Sequence, residues 1–163
     1  MKKTRKFDNE GFSLVELIIV IAIMAILTAV IGSQVIPYLE KSRVSKDKST
    51  LDTVYTSFQT IAADYGFTKA GATSYPTVTD TAYSPNNGSA TDAQSELQAL
   101  VGFSSSDLEK KWGSKSANKS SGASYTTSST SMVCSAKQCS MLYDPDAQVI
   151  AVGVGKLLIT NKG

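Results

Sequence analysis

One stretch of this sequence is long enough to cross a membrane, and it carries a single charge. From Phe12 to Ile36 run 25 residues of which only Glu16 is ionised, and between Leu17 and Ile31 only Thr28 is not apolar. A helix rises about 1.5 Å per residue, so such a segment spans a hydrocarbon core of about 30 Å. In front of it stands a short basic head, with Lys2, Lys3, Arg5 and Lys6 against Asp8 and Glu10, ending at Gly11. The formal net charge of the chain is +2, and the head alone accounts for it, so the remainder is formally neutral. A neutral body argues against nucleic-acid binding, which needs a basic surface to release counterions. The basic head reads as a flank held on the cytoplasmic side of a membrane.

Two readings of the apolar segment compete. An ordinary secretory signal has an apolar region of about 7–15 residues and a small-residue cleavage site. Here "TAVIGSQVI" makes a poor site, and a signal peptide gains nothing from Glu16. A carboxylate in the span costs about 2.5–3.5 kcal/mol near the bilayer centre and less near its edge. Glu16 is therefore either a functional residue or an interfacial one hydrated by headgroups. The chain has no His, which removes every mechanism built on a His base, nucleophile or ligand. Cys134 and Cys139 in "CSAKQC" are too few for a zinc site and too widely spaced for a C-x-x-C redox motif. In an exported domain they read as a small disulfide loop; the alternative is two unpaired thiols.

The residues "KKTRKFDNEGFSLVELIIVIAIMAIL" resemble the class III signal of type IV pilins and of the pseudopilins of secretion and competence systems. The resemblance covers about 26 residues: a basic leader, Gly11 directly before Phe12, then Ser13-Leu14-Val15-Glu16-Leu17 and an apolar run. It implies that a prepilin peptidase cuts after Gly11 and N-methylates Phe12, and that Glu16 assists assembly. The sequence departs from the common pattern in two places. Ser33 stands where many members have Pro, with Pro37 the nearest proline, and Ala25 stands where many have Gly.

The rest of the chain fits an α+β fold in which a long N-terminal helix packs on a C-terminal antiparallel sheet. Val44, Leu51, Val54, Tyr55, Phe58, Ile61, Ala62 and Tyr65 recur at steps of three and four, an amphipathic stripe that ends before Gly66. Lys46, Asp47, Lys48, Asp52 and Asp64 read as its solvated side. Five segments follow: a leader over 1–11, an apolar helix over 12–36, and an amphipathic helix over 37–65. A connecting region with short helices occupies 66–122, and a sheet region 123–163. Within the connector, "TDAQSELQALVG" predicts a helix capped by Thr91 with Leu97 and Leu100 inward, and "SSSDLEKKWG" a second start. Trp112 reads as packing rather than recognition. The Ser/Thr-rich "KSANKSSGASYTTSSTS" is an exposed loop or an outer sheet edge. "SMVC", "CSMLYD", "QVIAVGV" and "KLLIT" predict three or four strands. Asp144 and Asp146 in "YDPDAQ" suggest a turn, with a calcium site as the rival reading.

These features predict a structural subunit of a type IV pilus, with a pseudopilin as the alternative. The reading of another class is a membrane-anchored extracellular binding domain or enzyme. No catalytic constellation stands out, and no metal, cofactor or nucleic-acid partner is expected. The expected partners are copies of the chain, sibling pilins, the prepilin peptidase, the assembly machinery and the membrane. The expected location is the cytoplasmic (inner) membrane as a single-pass precursor with its globular part outside, then an extracellular filament serving adhesion or motility.

Overall fold

The computed structural model describes residues 12–79 and 81–162; the leader, Gly11 included, lies outside the described residues. The first element is helix α1, Leu14–Tyr65, which continues through Pro37. Pro37 has no N–H to give to the carbonyl of Ser33, so one rung of the helix ladder is missing there. The chain divides into two compact units, Met1–Leu39 and Glu40–Gly163.

In the first unit, every side chain from Phe12 to Leu39 is exposed, and no buried residue of α1 precedes Asp47. The few polar groups bond along the helix: the Thr28 hydroxyl donates to the Met24 carbonyl at 2.7 Å and the Ser33 hydroxyl to the Val30 carbonyl at 3.0 Å. Such local bonds satisfy hydroxyls without a partner from outside.

In the second unit, the stripe on α1 turns inward. Leu51, Val54, Phe58 and Ile61 are fully buried, and Val44, Tyr55 and Tyr65 flank them. The helix stops at Gly66, whose φ of 58° suits a residue without a Cβ. The Phe67 N–H then donates to the Ala62 carbonyl at 3.3 Å, closing a Schellman-type end. That turn delivers Phe67 into an aromatic cluster, 5.1 Å from the Tyr83 ring and 6.0 Å from Phe58.

The sheet contains β1 (Gly71–Ser74), β4 (Ser140–Asp144), β5 (Val149–Val154) and β6 (Leu157–Thr160), in the order β1-β4-β5-β6, every pair antiparallel. Period-two alternation divides its side chains between two cores. Met141, Ile150, Val152, Val154 and Leu157 join the α1 stripe, with Ala93, Leu97 and Val101 of helix α2 (Ala90–Val101) and Leu108 of α3 (Ser105–Lys111). Leu142, Val149 and Ala151 join Met132 and Cys134 from the other face. That face is covered by a two-stranded ribbon of β2 (Ser124–Thr126) and β3 (Ser131–Val133). Burial on both faces explains why all six residues of β5 are buried.

Four readings of the sequence are corrected here. "SMVC" does not enter the main sheet; β3 pairs with β2, and the fourth place goes to β1, inside the segment read as a connector. β1 is Gly-Ala-Thr-Ser at a sheet edge, so it lacks the apolar alternation that marks strands. Helix α2 is capped by Ser89 rather than Thr91, the Ser89 hydroxyl accepting from the Asp92 N–H at 3.2 Å. Leu97 is inward as expected, but Leu100 is 47 % exposed. Trp112 is packing, at 5 % exposure.

The fourth correction concerns Asp47, which is not on the solvated face. It is 1 % exposed, and its two oxygens accept from the N–H groups of Gly113 at 3.1 Å and Ser114 at 2.8 Å. Two turns earlier, Glu40 accepts from the Lys115 N–H. Three consecutive amides after α3 thus meet two carboxylates of α1. A buried carboxylate so satisfied is stabilising, and losing it leaves amides unpaired. Asp47→Ala is expected to cost about 2–5 kcal/mol, and Glu40→Gln, near the surface, under about 1 kcal/mol. Urea unfolding of a fragment spanning 40–163 measures both. Equal small losses would show that the clamp does not hold α1 to the domain.

Candidate functional site: the processing and assembly segment

The segment begins at Phe12, which is 91 % exposed; Gly11, on the other side of the expected cut, lies outside the described residues. Leu14 is the first helical residue, so Ser13 is the N-cap and Glu16 occupies the third helical position. The Ser13 N–H donates to Glu16 Oε2 at 3.0 Å. This is the return half of a capping box, in which an acid one turn into a helix satisfies the N-cap amide. Its signal, S-x-x-E, was legible at Ser13 to Glu16, and the sequence reading missed it. The acid also sits in the first turn, where the positive end of the helix dipole favours it. The other oxygen, Oε1, has no partner among the described residues, so it is open to a cation from outside the chain.

The setting of that carboxylate is apolar. α1 is long and apolar enough to cross a membrane, and none of its most apolar window is buried within the chain. Cleavage before Phe12 would create an amine four residues before Glu16, beside this surface. An amine and a carboxylate facing each other in a low-dielectric setting offset much of each other's desolvation.

The other candidates fall away from this segment. Cys134 and Cys139 are free thiols in the structure, both buried, and the expected bridge between them is not formed. Cys134 packs in the core under β2 and β3, in space left by Gly153, whose absent Cβ would come within 2.3 Å of its sulfur. Cys139 packs in the α1 core on the other face. Burial pushes the Cys134 thiol up to about 11; burial and the neighbouring Cys134 push Cys139 up as well. Asp144 turns the chain between β4 and β5, its Oδ1 accepting from the N–H groups of Asp146 at 3.1 Å and Ala147 at 3.0 Å. Its carboxyl is held below the usual range by the Thr127 hydroxyl and by these amides. No group of three acidic, Cys or His side chains gathers among the described residues. A cleft of about 210 Å³ between β1 and β3 is lined by neutral residues, with hydroxyls from Thr73, Ser74, Ser131 and Ser140.

Residues 6–32 match the prokaryotic N-terminal methylation motif. No curated protein and no solved structure matches the chain significantly. The chain therefore carries the class III signal of type IV pilin-like proteins, on an α+β layout of a long N-terminal helix and a four-stranded antiparallel sheet. The motif implies processing by a prepilin peptidase, membrane anchoring and assembly into a membrane-associated filament.

The thiols give a direct test of their setting. In the folded, reduced protein, alkylation at pH 8 is expected to be at least about a hundredfold slower than for an exposed thiol, because only the thiolate reacts. The Cys134 rate should go on rising with pH past 9. A plateau near pH 9 would show that the thiol is not in the buried setting described.

Proposed function

We propose that this chain is the structural subunit of a type IV pilus. It enters the cytoplasmic membrane as a prepilin, is cut after Gly11, is N-methylated at Phe12 and polymerises through its N-terminal helix into a surface filament. The observation that carries this reading is the exposed apolar surface of residues 12–39 with one carboxylate one turn from the expected new N-terminus. Lipid covers such a surface before assembly, and the same surfaces of neighbouring copies cover it afterwards. In both settings apolar side chains cost nothing, while Glu16 does.

That cost makes Glu16 a register device. Within the chain one of its oxygens is held by Ser13. Between chains, the Phe12 amine of one subunit pairs with Glu16 of the next, and the helix offset that allows this is favoured over others. N-methylation keeps the charge of the amine. The basic leader serves orientation and is then removed. A pseudopilin of a secretion or DNA-uptake system would use the same device, and the separation of the two rests on which filament the chain joins. Against a membrane-anchored enzyme stands the absence of His.

Mass spectrometry of the native protein is expected to find N-methylated Phe12 as the first residue. A mature chain starting near Gln34 would identify an ordinary signal peptide instead. Glu16→Val should insert and be cut as in the wild type, since Gly11 and Phe12 are untouched. It should nevertheless yield few filaments, because losing one member of a buried pair costs about 3–5 kcal/mol. The measurement compares membrane-bound cleaved protein with sheared surface filaments. Normal filaments from Glu16→Val would remove the register argument.

A further inference from the structure

Both oxygens of Asp47 and one of Glu40 accept from the amides of residues 113–115, and neither acid forms an ion pair with a cation among the described residues. Arg43 and Lys46 are exposed on α1, and a Cβ added at Gly113 would lie 3.8 Å from the Arg43 side chain. Lys115 and Lys119 are exposed on the loop that supplies the amides. Two more join from the sheet end: the Lys137 N–H donates to the Ala117 carbonyl at 3.1 Å, and the Lys156 N–H to the Ser116 carbonyl at 2.9 Å. One small loop thus gathers the backbones of four lysines beside two further cations of α1. The only ion pair among the described residues is Lys110 with Asp107, outside this collar.

Three exposed acids of the same unit lie elsewhere. At the far end of α1, Asp64, Asp92 and Glu96 are exposed around Tyr65, whose hydroxyl donates to Glu96 at 2.9 Å. All three carboxylates raise the Tyr65 hydroxyl above its ordinary value, Glu96 foremost through its hydrogen bond. The exposed Leu100 follows Glu96 by one turn on the same face of α2. From Lys46 to Asp64 the helix rises roughly 27 Å, at about 1.5 Å per residue. That is several times the screening length of about 8 Å at physiological salt, so the two patches do not neutralise each other within one chain.

We propose that the collar around residues 113–119 docks the Asp64–Asp92–Glu96 crown of a second copy of this chain. The contact is heterologous, one end of a domain against the other end of the next, and a contact of that kind propagates into an open filament rather than a closed ring. The proposal rests on the filament reading above and adds the domain surfaces that it leaves open. It makes the globular units, as well as the helices, set the subunit spacing. Anionic lipid headgroups are the other chemistry a lysine collar attracts, and Lys41 follows the apolar run by only five residues. The crown decides for a second copy: lipid attraction gives no role to three exposed acids that form no ion pair among the described residues, beside an exposed leucine.

The test uses full-length chain in its assembling host, with surface filaments sheared and weighed against membrane-bound cleaved protein. Lys115→Glu with Lys119→Glu is expected to lower filament yield at least about tenfold, because like charges are then brought together in the contact. Asp64→Lys with Glu96→Lys should do the same. The four changes combined should return the yield to within about threefold of wild type. In wild-type filaments, zero-length carbodiimide coupling should join collar lysines to Asp64, Asp92 or Glu96 of a neighbouring copy, which a separation of roughly 27 Å forbids within one chain. This coupling needs no variant, so misfolding cannot obscure it. A drop for the collar variant alone, with the crown variant normal, would identify lipid and overturn the docking. Normal yields from both variants, or no such couplings, would also overturn it and leave the filament reading standing. Wild-type protein that is cleaved but forms no filament would bring down both.

Discussion

The structure turns on an apolar helix surface that nothing in its own chain covers. From Phe12 to Leu39 every side chain is exposed, and leucine, isoleucine and valine dominate. At about 25 cal/mol per Å² of apolar area, leaving that surface in water is far more costly than the few kcal/mol that hold a domain together. The segment must therefore be covered by lipid or by another protein surface. The processing signal and the lone carboxylate lie at the start of that segment, and the second folded unit begins at Glu40.

Three carboxylates are satisfied alike along the chain. Glu16 accepts from the Ser13 amide, Asp47 from the amides of Gly113 and Ser114, and Asp144 from those of Asp146 and Ala147. In each case the partner is backbone N–H and not a lysine or arginine. An amide already fixed by the fold costs little side-chain entropy to engage, whereas an exposed ion pair yields little. The arrangement frees the cations. That is how a formally neutral body comes to present a basic patch at one place and an acidic patch at another.

Much of this was legible from the residues because it depends on local pattern. The steps of three and four from Leu51 to Ile61 announced a buried stripe, and Gly66 announced its end. The runs "CSMLYD", "QVIAVGV" and "KLLIT" announced β4, β5 and β6. What failed was context. Asp47 looks like any charge in an exposed series until the loop after α3 folds over it. β1 has no apolar signature because it sits at an edge, where a neighbour's hydrogen bonds and not its own side chains hold it. Ser89 and Thr91 are both good caps, and the choice between them depends on where Ala93 and Leu97 meet the core.

The sequence alone determined that the chain has a processing signal, an anchor and one carboxylate within it, since hydropathy, charge order and the Gly11–Phe12 junction are properties of consecutive residues. Tertiary structure decided which acids are buried, which strand completes the sheet and which lysines share a surface. Residues 43, 115, 137 and 156 are far apart in the chain. Only packing α1, the post-α3 loop and the sheet end together brings them to one place, because a contact between distant segments is fixed by the whole core and not by any window of it.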